Sequence, residues 1–253
     1  MPTTDAVLAW LDARFRFADW REIDGNASGL QVARRGTTVE RIAVAVDARQ
    51  ASIDAAAAAG AQMLIVHHGL FWGRERTVTG ALHRRLSALL AADIALVGIH
   101  LPLDAHPELG NNAGLMAAVG AVEIEPFGLY RGRLIGLKGR LPEPLPLSEV
   151  ADRICAPHRP LAVCDHRRAP VRTVAAISGG APRDATQAMA QGIDCYITGD
   201  ASHEVAVEAA EHGLDLVFGG HYATETAGVR RTAAALEREL GVATLFIDLP
   251  TGV

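Results

Sequence analysis

Histidine and carboxylate recur at matched spacings along this chain. His67 and His68 are adjacent and followed by Gly69, while His100 and His221 each stand four residues ahead of a carboxylate, Asp104 and Glu225. Imidazole nitrogen and carboxylate oxygen suit zinc, iron or manganese, and no cysteine joins them as it would in a structural zinc site. Neighbours on a strand point to opposite faces, so His67 and His68 share a site only where the strand ends and the backbone turns, which Gly69 permits. Taken alone, the pair reads more readily as one core and one exposed histidine. If a helix starts after Gly219-Gly220, His221 and Glu225 lie on one face and can touch one ion. By itself that is also an ordinary surface pair, and Asp104 after LPL is also a plain cap or turn residue.

All of these residues sit at the ends of short apolar runs. From Arg41 onward such runs alternate with alanine-rich helical segments, the pattern of βα units around a largely parallel sheet. The patterning predicts strands over 42–46, 62–66 and 94–99 with helices near 50–59 and 80–91. Later it predicts strands over 172–177, 194–198, 214–218 and 243–248, with helices near 182–191, 202–212 and 224–240. Ahead of both, Thr3 or Thr4 can cap a helix running to about Phe15. The proline-bearing stretch 126–171, with a strand candidate at 133–140, reads as a connecting segment. The expected fold class is α/β, with two similar lobes of mostly parallel sheet, 1–125 and 172–253, in a single compact subunit.

The two halves can be laid over one another. RIAVAVD at 41–47 matches RTVAAIS at 172–178, AQMLIVHH at 61–68 matches IDCYITGD at 193–200, and the third runs end on His100 and His221. His67-His68 and Gly199-Asp200 then occupy equivalent strand ends. Ligands in open α/β sheets bind at the C-terminal ends of strands, so the polar groups of both halves can converge on a crevice between the lobes. Three such elements at equivalent positions are harder to explain as chance than any one of them.

Other motifs leave two readings open. Ser178-Gly179-Gly180, between a strand and a helix, is an anion cradle or a plain βα turn. Thr198-Gly199-Asp200 adds charge near the metals or is a structural turn. Asn111 and Asn112 read as the start of a helix. His83, His106, His158, His166, His203 and His212 have no comparable pairing. No G-x-S-x-G elbow points to a nucleophilic serine. The net charge of -5 argues against a broad nucleic-acid footprint, leaving only local arginine clusters such as Arg34-Arg35 or Arg131 and Arg133. Cys155, Cys164 and Cys195 form no CxxC pair and read as free thiols in a reducing compartment. With no signal-peptide pattern and no long apolar span, the expected location is the cytoplasm, with no membrane association.

SGLQV at 28–32, LIVHHGLFW at 64–72, HLPLDAHPELGNNAGL at 100–115, YITGD at 196–200 and GHYATE at 220–225 together carry a resemblance across nearly the whole chain. The chain resembles the Nif-three-like family of GTP cyclohydrolase I type 2 homologues, in particular its short bacterial members. The resemblance implies two divalent metal ions per subunit between two α/β lobes, and assembly into a hexameric toroid. It implies His67, His68, Asp104, His221 and Glu225 as metal ligands, with His100 beside them. His100 or Asp200 would then orient water or shuttle a proton in metal-assisted hydrolysis of a small molecule, a purine nucleotide being the implied class. The alternative is a non-enzymatic metal-binding or regulatory ring protein. In DGNASGLQV the chain departs from relatives that carry a proline-asparagine pair before GLQV, and it lacks the inserted domain of longer members.

Overall fold

The computed structural model describes residues 1–73 and 77–253. Thr3 caps the first helix, α1 (Thr4–Phe15), by accepting a hydrogen bond from the Ala6 N–H. A first sheet follows, built from β1 (Gly29–Val32), β2 (Arg41–Asp47), β3 (Met63–His68) and β4 (Ala95–Gly98), with α2 (Gln50–Ala58) and α3 (Gly80–Ala91) as crossovers and the single turn α4 (Leu101–Asp104) after β4. Ile42 to Val46 and Met63 to Val66 are buried on both faces, as strands in a covered parallel sheet must be.

The rest of the chain makes α5 (Asn111–Val119), the long hairpin β5 (Val122–Tyr130) and β6 (Arg133–Leu145), α6 (Leu147–Cys155), β7 (Ala162–Cys164), β8 (Val171–Ala176), α7 (Ala185–Ala190), β9 (Cys195–Thr198), α8 (His203–His212), β10 (Asp215–Phe218), the turn α9 (His221–Thr224), α10 (Thr226–Leu240) and β11 (Ala243–Phe246). The first sheet has the order β1-β4-β3-β2-β11 and the second β5-β6-β8-β9-β10-β7.

The internal repeat is visible as topology. β2, β3 and β4 are parallel neighbours in that order, as are β8, β9 and β10. In each sheet the third of these carries an antiparallel neighbour, β1 or β7. A single helical turn follows each third strand, α4 in one case and α9 in the other.

Three expectations are corrected. The segment 126–171 is no connector: β5, β6 and β7 are full members of the second sheet, and α6 packs Val150 and Ile154 into its core. The strand expected at 243–248 in the second half is β11, which pairs with β2 in the first sheet, and the compact units run 1–103 with 228–249, and 104–227 with 250–253. A short apolar strand such as ATLF shows no partner in its sequence, because pairing is decided by long-range hydrogen bonds. The second sheet is mixed, since the β5–β6, β6–β8 and β7–β10 pairings are antiparallel.

Among the described residues no helix is long and apolar enough to cross a membrane. Cys155 and Cys195 are buried, and burial pushes the Cys155 thiol up to about 11. Arg34 donates to the carbonyls of Asp93 and Thr38, and its guanidinium lies 3.4 Å from the Asp93 carboxylate.

Candidate metal centre

In the first unit β3 ends on the two histidines because the chain must turn at once. A Cβ on Gly69 would lie 2.2 Å from Gln31 Nε2. Gln31 cannot retreat: its Oε1 accepts from Leu70 N–H at 2.7 Å and its Nε2 donates to Asn26 Oδ1 at 2.7 Å and to the Ala27 carbonyl at 2.8 Å. The SGLQV motif therefore shapes the turn that lets His67 and His68 face one place.

His67 is fully buried, and its Nδ1 lies 2.9 Å from the Ile99 carbonyl. His68 Nδ1 lies 2.8 Å from Asp47 Oδ1, and His100 Nδ1 lies 2.7 Å from Asp24 Oδ1. Carbonyls and carboxylates only accept, so each Nδ1 carries a hydrogen, and in the neutral ring the lone pair is on Nε2. One ligand nitrogen from each of the three rings falls within 4.8 Å of the others, the spacing of a metal-holding group. Burial pushes the Asp24 carboxyl up, but the hydrogen bond and charge of His100, with the Asn26 and Ser28 donors, outweigh it and hold the group below its ordinary value.

In the second unit His221 opens α9 after Gly220, whose φ of 94° only glycine adopts readily. Its Nδ1 lies 2.8 Å from Asp200 Oδ1 and its Nε2 3.3 Å from Glu225 Oε1. The Glu225 hydrogen bond, opposed by burial and aided by Glu225 and Asp200 charge, raises the imidazole to about 9. Gly179 makes this packing possible: at φ 63° a Cβ there would sit 2.1 Å from Glu225 Oε1 and 3.2 Å from His221 Nε2. The Ser178-Gly179-Gly180 stretch is thus a structural turn with site contacts, its Gly179 N–H donating to Thr224 Oγ1 at 3.0 Å.

Asp104 is buried and fixed by two donors, Ser178 Oγ and Asn111 Nδ2, each 2.9 Å from Oδ1. Asn112 Nδ2 donates to the Asp104 and Ile135 carbonyls, and its Oδ1 accepts from Ser178 N–H. Asn111 and Asn112 do begin α5, but Gly110 is the cap residue and the two amides serve Asp104. Sequence reasoning missed Asp24 and Asp47, and read Ser178 only as part of an anion cradle or turn rather than as the donor to Asp104. Asp47 had a signal, since the register of β2 and β3 places it directly beside His68. Asp24 had none, because the loop that carries it is irregular.

The structure therefore gathers His67, His68 and His100 in one unit, and Asp104, Asp200, His221 and Glu225 on neighbouring turns of the other. A family model for Duf34/NIF3 (NGG1p interacting factor 3) matches residues 3–251. The chain belongs to the Duf34/NIF3 family. It is 41% identical to the GTP cyclohydrolase 1 type 2 homolog of Treponema pallidum over 281 aligned residues, covering 96% of this chain and 98% of that one. The solved structure of the protein ybgI covers the whole of both chains at 36% identity with a TM-score of 0.90. TTHA1606 of Thermus thermophilus matches at 38% identity and TM-score 0.87, covering 99% of this chain and 100% of that one. The Duf34/NIF3 assignment covers both β-strand repeats and the hairpin β5–β6 alike.

Proposed function

We propose that this Duf34/NIF3 chain holds about two divalent ions per subunit with His67, His68, Asp104, His221 and Glu225, and uses them to hydrolyse a small molecule. The observation that carries this reading is the shared treatment of the strand-end imidazoles. His67, His68, His100 and His221 each have Nδ1 engaged by a carboxylate or carbonyl, the arrangement that orients metal-ligating histidines and fixes their tautomer. The repeat supports a single dinuclear centre, because equivalent strand ends supply nitrogen donors in one half and carboxylates with one imidazole in the other. Such mixed nitrogen and oxygen sets suit zinc, iron or manganese.

Divalent ions held by these donors supply Lewis acidity, which acidifies water and offsets charge at the attacked centre. The chain's own groups do the rest. His100, its Nδ1–H held by Asp24, is placed to accept or return a proton at Nε2. Asp200 is a positioning residue, because its carboxylate orients His221. The relatives' name, GTP cyclohydrolase 1 type 2 homolog, supports a purine nucleotide as the substrate class. We further propose a hexameric ring and, from the buried free thiols, a reducing cytoplasmic location.

Elemental analysis of protein purified without chelator should find about two metal equivalents per subunit. Finding none, with no uptake of added zinc, manganese or iron, overturns the metal reading. GTP turnover that stops in His67→Ala but survives in His212→Ala supports the hydrolase; bound metal with no turnover supports a non-enzymatic metal protein instead. A monomer by light scattering at micromolar concentration contradicts the ring.

A further inference from the structure

Exposed apolar side chains of the second unit gather at the two outer edges of its sheet. Val122, Ile124, Leu129 and Leu134 lie on the β5–β6 hairpin, and Leu161 and Val163 on or beside β7, at the other end of the strand order. Apolar groups clustered in this way mark contact surfaces. One chain cannot bring its two edges together, because β8, β9 and β10 stand between them.

The hairpin ends in a narrow tip. Arg131 and Gly132, with φ of 47° and 85°, form a two-residue turn with both centres left-handed, the kind that suits twisted strands. Leu129 and Leu134 stand directly opposite in the ladder, so they share a face, and they are 58% and 47% exposed. Arg131 and Arg133 add two exposed cations beside them. Addition of a further strand along β5 is obstructed, since Pro126 has no N–H and Gln187 already accepts the Leu129 N–H and donates to its carbonyl. The tip therefore offers a partner side chains and not backbone.

The opposite edge carries the counterpart. A groove of about 460 Å³ runs beside α6 and β7, with Leu147, Val163 and Pro170 in its apolar wall. Asp152 and Asp165 bring two carboxylates to it and Arg168 one guanidinium, so its lining is net acidic. Asp165 also fixes the turn after β7, its Oδ1 accepting the Arg168 N–H at 2.8 Å.

We propose that the β5–β6 tip of one copy of this chain seats in the α6–β7 groove of a second copy. Leu129 and Leu134 meet the apolar wall, and Arg131 and Arg133 face the acidic rim, so the two surfaces match in charge as well as in hydropathy. Tip and groove are different surfaces of the same molecule. Their contact is heterologous, and it repeats head to tail until the rotation closes a ring. This rests on the proposed ring and names the joint that builds it.

The test is sedimentation of the full-length protein at micromolar concentration. Leu134→Asp at the tip and Val163→Asp in the groove, both at exposed positions, should each weaken self-association about tenfold or more, because a carboxylate is carried into an apolar contact. Thermal melting reports whether each variant folds; where one does not, Arg133→Glu replaces the tip variant and Asp152→Arg the groove variant. A one-to-one mixture of tip and groove variants should form a complex containing both, since one intact groove and one intact tip remain between them. Wild-type mass in both variants overturns the joint and leaves the ring standing. Dissociation in only one variant, or in both with no complex in the mixture, means that the tip meets some other surface and overturns it too. A monomeric wild type removes the ring itself and the joint with it.

Discussion

The two repeats reach similar ends with different residues. In the first, β3 ends on the imidazoles His67 and His68, and the supporting carboxylate Asp47 comes from the neighbouring β2. In the second, the equivalent end of β9 carries Gly199 and Asp200, and Asp200 is itself the support for His221. Histidine would not fit at the position equivalent to His67: even a Cβ on Gly199 would lie 2.8 Å from the Gly179 carbonyl and 2.8 Å from His221 Cα. The third strands differ likewise, His100 being held by a carboxylate from a distant loop, Asp24, and His221 by one from the turn that ends the neighbouring β9. A duplicated scaffold thus fixes where polar groups emerge, and close packing decides which of them is donor and which is support.

If both repeats serve one centre, the largest effect comes from removing a donor in either. His67→Ala and His221→Ala should each lower metal content severely and to a similar degree, measured by elemental analysis. Adding chelator should lower the melting temperature of wild type and change that of either variant little, because an ion bound only by the native state stabilises it by mass action. Full occupancy in His221→Ala and Glu225→Ala beside an empty His67→Ala would separate the two halves and confine the metal to the first.

Next in size is Gly179→Ala, since the aligned position in the first repeat is already Ala48 and only the second needs glycine. The left-handed backbone alone costs about 1–3 kcal/mol, and the added methyl displaces Glu225. Chemical denaturation should show that loss together with weaker metal binding.

The supports should come third. Asp47→Asn and Asp200→Asn should each reduce metal affinity roughly 10–100-fold by competition titration while leaving the fold intact. Equal losses would mean that a carboxylate at the end of β2 and one in the turn after β9 support their imidazoles equally well.

Acidity separates the halves more gently. His221 has a folded value of about 9, above the ordinary 6.5, so in metal-free protein its protonation contributes stability fully below about 6.5 and loses it as pH rises through about 9. A cation competes with that proton, so metal affinity should rise with pH up to about 9. Melting curves and metal titrations across this range check both signs, and Glu225→Gln should flatten the melting dependence. The smallest effect is expected for His212→Ala, whose ring lies on the exposed end of α8 against the Glu208 carbonyl: metal content should match wild type.

Much of this molecule is written locally. The parallel cores of both repeats were legible because RIAVAVD, MLIV and their counterparts are apolar runs bounded by turn residues, and the histidines and carboxylates at their ends follow from where each run stops. Chain order also carried the repeat itself, since equivalent runs recur at equivalent intervals. What the sequence could not state is which distant groups meet. The pairing of β11 with β2, the integration of β5, β6 and β7 into the second sheet, the grip of Asp24 on His100 and of Ser178 on Asp104 all join residues far apart in the chain. Local propensity and periodicity describe a segment's own backbone and face, whereas these contacts depend on hydrogen bonds and packing that exist only once the chain has closed on itself.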